Sequence, residues 1–321
     1  MKNVSPPLLF TQSMVSSSDD GRMRSILCGH ATAFASYLIF GFNILACKLI
    51  AQSGLVPPIC LFTFRALGAV ILFSLLSLFL PKERVERKDL LRIFIASMLG
   101  LFLTQITFLV AIKITTPFDV SVVASLTPIF TMFFAAIYLK EPITWKKALG
   151  VALSFTGVLW LIFNSVNVSS GVETSSPLGI FLMVLNGLFF SIYLSISKPV
   201  IGKYSVVTYM KWMFLFSLLV SLPFDLMDLA TLDYSEFSTS LVLSILYVVI
   251  FATFVAYLSI SFAQRLIRPT LVSLYSYVQP IVAACLGVYW GMDVMTWQKV
   301  CAALLVFVGV AVVNASRSKA S

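Results

Sequence analysis

The sequence predicts an all-α integral membrane protein of ten transmembrane helices, arranged as two inverted repeats of five helices each. Three observations indicate this fold: an apolar composition, apolar runs of membrane-spanning length, and a pattern shared by the two halves of the chain. Hydrophobic residues make up 60% of 321 positions, and charged residues make up only 11%. Because a soluble domain has roughly 45–50% apolar and about 25% charged residues, lipid must solvate much of this chain.

Ten apolar runs have about the 20-residue length that crosses a bilayer as a helix. Helices are required because an unpaired backbone is costly in hydrocarbon, and the runs lack the alternation of a barrel strand. The polar segments 1–25 and 316–321 are expected to be cytoplasmic tails, the first of them flexible. The predicted spans are 26–50, 57–80, 90–112, 117–139, 146–164, 177–200, 206–223, 240–262, 270–290 and 298–315.

The basic residues predict the orientation of these spans. With the N-terminus in the cytoplasm, 18 of the 22 Lys and Arg residues fall in the inner segments, and the outer loop 224–239 is acidic. This asymmetry predicts that both termini are cytoplasmic, in a multi-pass protein of the cell or inner membrane. The net charge of +9 is spread over helix flanks rather than gathered on a polar domain, so the expected partner is the lipid bilayer and not nucleic acid.

The two halves of the sequence match when one is shifted by 152 residues. Pro128 then aligns with Pro280 and Trp145 with Trp297, in one ungapped register. Agreement of such residues at one offset indicates an internal repeat. Each copy holds five spans, and because five is odd the second copy enters the membrane from the opposite side. This inverted repeat is the architecture of many secondary transporters.

Further short motifs follow the same register in both halves. They are Leu126-Thr127-Pro128, Leu139-Lys140-Glu141-Pro142, Trp145 and Gly157-Val158 in the first copy, and Val278-Gln279-Pro280, Asp293, Trp297 and Gly309 in the second. In these motifs the chain resembles the EamA domain of the drug/metabolite transporter superfamily, with copies at 26–165 and 176–315. The second copy departs from the pattern in having Asp293-Val294 in place of the Glu-Pro pair. The resemblance implies ten helices, and solute export or exchange without ATP, often of amino acids or other metabolites.

We therefore expect a secondary transporter of small metabolites such as amino acids, with no cofactor. A nucleotide-sugar or phosphate exchanger of the same superfamily would need several basic cavity residues, for which only Arg65 and Lys48 are candidates. A non-transporting membrane scaffold or sensor is the other alternative. An enzyme is not expected, because Asp119 and His30 are predicted near opposite faces and no nucleotide-binding or metalloprotease motif is found.

Two prolines are predicted to interrupt their spans at corresponding points of the repeat. Pro128 and Pro280 each remove a backbone hydrogen bond and free a carbonyl four residues earlier, at Ala124 and Ser276. Paired interruptions of this kind point to a transport site, where they would act as hinges. A packing kink without a ligand role is the alternative.

Arg65 is predicted within the second span, where an unpaired arginine costs about 2.5–3.5 kcal/mol. Asp119 is one candidate partner, for which Lys113 competes. If Arg65 faces the cavity, it favours a substrate with an anionic group; snorkelling to the headgroups is the alternative.

Uncharged polar side chains within the spans should face the interior of the bundle. The resemblance implies a cavity lined by the first, third, fourth, sixth, eighth and ninth spans. With Arg65, the predicted cavity-lining or substrate-binding residues are Asn43, Gln105, Tyr193, Tyr257, Tyr275 and Gln279.

Several other residues have simpler interpretations. The five cysteines lack the spacing of a metal or disulfide framework, so no metal site is expected. Lys48 and Lys198 are expected to be interfacial anchors, and His30 to make a capping or headgroup contact, with proton coupling as the alternative. The small residues Gly150, Ser154 and Gly157 suit helix packing, within the bundle or across a homodimer. A glycosylation sequon occurs at Asn167-Val-Ser169.

Overall fold

The computed structural model describes residues 8–139, 145–165 and 175–315, and within these ranges the chain is helical without strands. Ten helical segments follow the predicted spans. They are α1 (Leu8–Ser53), α2 (Pro58–Ser77), α3 (Arg87–Lys113), α4 (Pro117–Ala124 and Thr127–Leu139), α5 (Trp145–Ser165), α6 (Pro177–Lys203), α7 (Val206–Thr231), α8 (Thr239–Leu266), α9 (Pro269–Tyr289) and α10 (Trp297–Ala315).

The all-α membrane fold is confirmed. Among the described residues eight segments are long and apolar enough to cross a membrane, and α5 and α10 contain the shorter apolar stretches Ala148–Leu161 and Trp297–Val312. The structure differs from the prediction at the N-terminus, where α1 already begins at Leu8. Extending an existing helix needs no new nucleus, so polar residues ahead of an apolar span can continue it at little cost. Residues 1–7 and 316–321 of the two expected tails lie outside the described residues.

The helix pairs of the two repeats are reciprocal. Helix α1 of the first repeat packs on α8 and α9 of the second. Correspondingly, α6 of the second repeat packs on α3 and α4 of the first. The helices α2 and α7 pack on each other, as do α5 and α10. If one helix contacts a second, the repeat-equivalent pair makes the same contact, which is the property of a two-fold arrangement.

Local irregularities are repeated as well. A wider π-helical turn interrupts α3 at Met98–Leu103 and α8 at Ile250–Val255, at the 152-residue offset of the sequence repeat. In each helix a threonine hydroxyl donates to a carbonyl five residues earlier, Thr104 to Leu99 over 2.6 Å and Thr253 to Val248 over 2.7 Å. These bonds satisfy carbonyls that the wider turn releases, so both helices keep a local bulge near mid-membrane.

The ends of the helices form two faces of the bundle. We call the face with loops 78–86, 204–205 and 267–268 the terminal face, and the face with loops 54–57, 114–116 and 290–296 the distal face. Buried apolar residues form one core toward each face, and the central cavity lies between these cores.

The pair α5 and α10 packs closely because small residues line its contact. A Cβ atom on Gly309 would lie 2.5 Å from the Gly150 carbonyl oxygen, and one on Gly157 would lie 2.7 Å from that of Ala302. Ser154 Oγ donates to the carbonyl of Val306, its own repeat equivalent, over 3.1 Å. The predicted small-residue stripe therefore packs within the molecule.

Candidate functional site

A cavity lies at the centre of the bundle, between helices of both repeats. Six helices contribute to its wall: α1, α3, α4, α6, α8 and α9. Its space, including the part open to solvent, is about 550 Å³. The lining residues are Tyr37, Phe40, Asn43, Ile44, Thr104, Gln105, Phe108, Val120, Ala124, Thr127, Met183, Asn186, Phe190, Tyr257 and Gln279.

Helical periodicity brings these side chains to the wall. On α6 the lining residues Met183, Asn186 and Phe190 are three and four positions apart, so they share one face. The lining positions on α1 and α4 follow the same spacing. Tyr37 was not predicted at the cavity, although it lies three and seven positions before Phe40 and Ile44, a spacing that places the three on one face of α1.

Gln105 and Tyr257 join the two repeats at the centre of the cavity. Gln105 Nε2 donates to the Tyr257 hydroxyl oxygen over 2.5 Å, and both side chains are buried. The two residues are 152 positions apart, so they occupy the same position of the two repeats. Gln105 Oε1 is buried and has no hydrogen-bond partner among the described residues, which leaves an acceptor for a ligand.

The remaining polar groups of the wall are uncharged. Asn186 Nδ2 donates to the Thr104 carbonyl over 2.6 Å, and Asn43 Oδ1 accepts from Cys47 Sγ over 3.4 Å. No lining residue of the described cavity carries a charge, and aromatic rings such as Phe40 and Tyr257, 5.6 Å apart, fill the rest. Such a wall can orient a small solute with hydrogen bonds and cover its apolar part.

Of the seven residues predicted at the cavity, Asn43, Gln105, Tyr257 and Gln279 lie on its wall. Tyr193 is buried behind it, where its ring packs on Gly100; a Cβ atom on that glycine would lie 2.3 Å from the ring. Tyr275 lies off the wall as well, and its hydroxyl shares a 2.8 Å hydrogen bond with His30 Nδ1. The side chain that His30 contacts is therefore Tyr275, a partner that sequence reasoning did not find.

Arg65 does not lie on the cavity wall but is buried between α2 and α8, with 1% of its surface exposed. Its Nε donates to Thr253 Oγ1 over 2.9 Å, within the π-helical turn of α8. Nη1 and Nη2 have no hydrogen-bond partner among the described residues. Snorkelling is therefore wrong for Arg65, because the α2–α8 contact holds the guanidinium inside the bundle.

The two prolines lie just after breaks in their helices. In α4 the helix stops at Ala124 and restarts at Thr127, and in α9 a 3-10 turn occupies Tyr275–Tyr277. The carbonyl of Ala124, which Pro128 was predicted to free, accepts from Thr127 Oγ1 over 2.7 Å. The breaks are repeat-equivalent, so each half presents an interrupted helix at the same depth.

Lys48 and Lys198, predicted as interfacial anchors, bind backbone carbonyls near the ends of helices, Lys48 inside the protein and Lys198 half-buried. Lys48 is buried, and its Nζ donates to the Thr115 carbonyl over 2.9 Å. Lys198 Nζ donates to the carbonyls of Gln264 and Ile267, the latter over 2.9 Å. Since Thr115 and Ile267 are 152 positions apart, the two lysine hydrogen bonds are equivalent, and they hold the turns that lead into α4 and α9.

Asp119 belongs to a cluster on the distal face and pairs with neither Arg65 nor Lys113. We call Asp119, Ser175, Asp293 and Lys299 the distal cluster. Lys299 Nζ lies 2.6 Å from Asp293 and 3.6 Å from Asp119, and Ser175 Oγ donates to Asp119 over 2.5 Å. Asp293 Oδ2 also accepts from the Phe118 backbone nitrogen over 3.0 Å, at the start of α4. The prediction failed because both partners of Asp119 lie far along the chain.

A second group of charges joins the repeats on the terminal face. In this terminal cluster Asp89 of α3 accepts from Lys203 Nζ and from the Tyr204 hydroxyl, each over 2.7 Å. Nearby, burial acts to raise the pKa of Glu83, but hydrogen bonds from Ser205 outweigh it and hold the pKa below its usual value. Polar contacts thus join the two halves at each face of the bundle.

A model of the EamA-like transporter family matches residues 27–163 and 177–315, which are the two structural repeats. The chain belongs to the EamA-like transporter family. This agrees with the reciprocal helix pairs, and it confirms the resemblance found in the sequence. The chain is therefore a multi-pass membrane transporter.

Curated relatives of this transporter carry names that state transport without a substrate. An uncharacterized transporter of Archaeoglobus fulgidus is 25% identical over 81% of this chain and 90% of its own. The uncharacterized inner membrane transporter YedA of Escherichia coli K12 is 24% identical over 86% and 87%. A solved crystal structure has a TM-score of 0.63 at 17% identity, covering 93% of this chain and 98% of the other, which shows the fold alone.

Two sequence features lie outside the described residues. These are the sequon Asn167-Val-Ser169 and the stretch Lys140-Glu141-Pro142 of the family motif.

Proposed function

We propose that this EamA-family protein is a secondary transporter that exports or exchanges small metabolites such as amino acids by alternating access. The observation that carries the proposal is the central cavity, whose wall comes from three helices of each repeat. Two inverted halves around one site can exchange conformations, which opens the site to one side and then to the other.

The chemistry of the wall favours solutes without net charge. Every lining residue in the described part of the chain is uncharged, so a multiply anionic solute would lose its hydration without gaining a counter-ion. An amino acid is zwitterionic, and amide and hydroxyl groups such as those of Gln105, Asn186 and Tyr257 can bond both its ends. The nucleotide-sugar or phosphate alternative is less well supported, because Lys48 caps a helix and Arg65 lies behind the wall.

The test is counterflow in proteoliposomes that contain the purified protein. Vesicles loaded with one unlabelled solute from a panel of amino acids, amines, sugars and sugar phosphates would receive the labelled solute outside, with and without a pH gradient. We expect accumulation of one or more net-neutral metabolites and none of sugar phosphates. Failure of every solute to accumulate would favour the scaffold or sensor alternative.

We also propose that the terminal face is cytoplasmic, since it carries most of the basic residues. A reporter enzyme active only outside the cytoplasm, fused after residue 321, should be inactive in cells. The same reporter inserted between residues 233 and 238, on the distal face, should be active, and the reverse pattern would contradict this orientation.

A further inference from the structure

A separate group of side chains lies where α2 and α7 meet at the distal face, away from the cavity. Cys60 is in the first turn of α2, and Asp225 and Asp228 are near the end of α7. The two aspartates are three positions apart, so they lie on one face of their helix. Because α2 and α7 belong to different repeats, this group joins the two halves.

The group contains a buried carboxylate whose bonding is incomplete. Cys60 and Asp225 are both fully buried, and Cys60 Sγ donates to Asp225 Oδ1 over 2.9 Å. Asp225 Oδ2 is also buried, and it has no hydrogen-bond partner among the described residues. A buried carboxylate oxygen without a partner is costly, so this atom indicates a cationic ligand.

We propose that Cys60, Asp225 and Asp228 bind a thiophilic divalent cation, with Zn²⁺ as the best fit. One ligand atom from each residue lies within 4.8 Å of the other two. Around a tetrahedral zinc ion, sulfur and oxygen ligands at about 2.3 and 2.0 Å stand roughly 3.5 Å apart. The exposed side chain of Asp228 can move to close the remaining gap.

The ligand types select the ion. A thiolate favours Zn²⁺ over Mg²⁺ or Ca²⁺, which prefer oxygen ligands throughout. On binding, the Cys60 thiol releases its proton to solvent as the sulfur–metal bond forms. The ion gives Asp225 the missing partner, and three protein ligands leave one position for water. This inference is independent of the proposed transport function, because it concerns metal affinity and not flux.

The test is a titration of the full-length protein, purified in detergent and freed of metal with a chelator, with Co²⁺ as a coloured substitute for Zn²⁺. We expect one equivalent to bind with a thiolate-to-cobalt absorption band, and Zn²⁺ to displace it. Cys60→Ser should lose the band. Cys47→Ser is the matched control, since Cys47 is another buried cysteine and donates to Asn43 rather than to a carboxylate.

Asp228→Asn separates metal binding from folding, because this exposed side chain is not part of the core. Its thermal unfolding without metal should match that of the parent, while its Co²⁺ affinity should fall at least about tenfold. Absence of the band at stoichiometric Co²⁺ in the parent, or its persistence in Cys60→Ser, would overturn the proposal. Binding without a thiolate band would show adventitious carboxylate binding and overturn it equally.

Discussion

The hydrogen bond between Gln105 and Tyr257 joins equivalent positions of the two repeats, so it lies close to the two-fold axis that relates them. The two side chains differ, which means that the halves are related in backbone but not in cavity chemistry. The amide contributes a free acceptor, Oε1, and the phenol contributes an aromatic surface. We infer that this pair positions the solute in both conformations of the transporter.

Gln105→Leu should lower the initial rate of counterflow at least about tenfold, the effect of losing about 1.4 kcal/mol of binding. Tyr257→Phe should have a similar effect, and the double variant should be little worse, because the two act as one unit. The control is Thr107→Val, on the same helix, whose hydroxyl bonds its own helix backbone. Full additivity of the two effects would contradict a shared role.

Arg65 is a buried charge with few hydrogen-bond partners among the described residues. Arg65→Met should leave the unfolding temperature nearly unchanged, because removing a poorly paired buried charge offsets the lost bond to Thr253. Transport should nevertheless fall at least about tenfold if the charge acts on the solute through the wall. Strong destabilisation with normal flux per folded molecule would assign Arg65 a structural role alone.

At the scale of helices, the interruptions were partly predictable. The equivalence of Pro128 and Pro280 marked the depth of the breaks in α4 and α9, because a proline inside a span removes a backbone hydrogen bond whatever its tertiary contacts. The bulges in α3 and α8 had no such signal, because a wider turn depends on threonine bonding and on packing across repeats. The contact of Arg65 with Thr253 could not be predicted either, because it depends on packing between residues that are 188 positions apart.

The sequence predicted those lining residues whose polar side chains must lie in the interior of the bundle. Asn43 and Gln279 are examples, since an amide is costly in lipid. Phe190 and Met183 line the cavity too, but an apolar side chain suits lipid equally well, so periodicity alone cannot separate the two environments. Tyr193 was predicted to line the cavity but does not, because its ring packs on Gly100 instead.

Pro128→Ala and Pro280→Ala should slow turnover more than they weaken binding, because each lets a broken helix become more continuous and stiffer. The counterflow rate at saturating solute should fall several-fold in each variant, with a smaller change in half-saturating concentration. Pro199→Ala in α6 is a control, as this proline is exposed inside an otherwise continuous helix. Equal effects of all three substitutions would contradict a hinge role for the first two.

Gly309→Ala should destabilise the pair α5 and α10 by about 1–3 kcal/mol, as expected for an overpacked contact. The new Cβ atom would lie 2.3 Å from Ser154 Oγ and 2.5 Å from the Gly150 backbone oxygen, which cannot move freely. Gly202→Ala in α6 meets nothing within 4 Å and is the control. The measurement is thermal unfolding in detergent, and an equal response of both variants would contradict close packing at Gly309.

At the scale of the whole molecule, the distal and terminal clusters lie on opposite faces of the bundle. Each ties the first repeat to the second, through Lys299 on one face and through Lys203 on the other. Alternating access requires that the two faces open in turn, so each cluster stabilises the state in which its own face is closed. Loss of one cluster should shift the population toward opening on that face.

Accessibility of the cavity from the distal face should therefore change in opposite directions when the two clusters are broken. The probe is a cysteine introduced by Asn186→Cys on the cavity wall, in a protein whose native cysteines are serines, labelled by a maleimide that does not cross the membrane. Lys299→Met should raise the labelling rate from the distal face severalfold, and Lys203→Met should lower it. Lys113→Met is the control, since this lysine is exposed. Changes in the same direction for both variants would show that the clusters hold the fold together rather than govern which face opens.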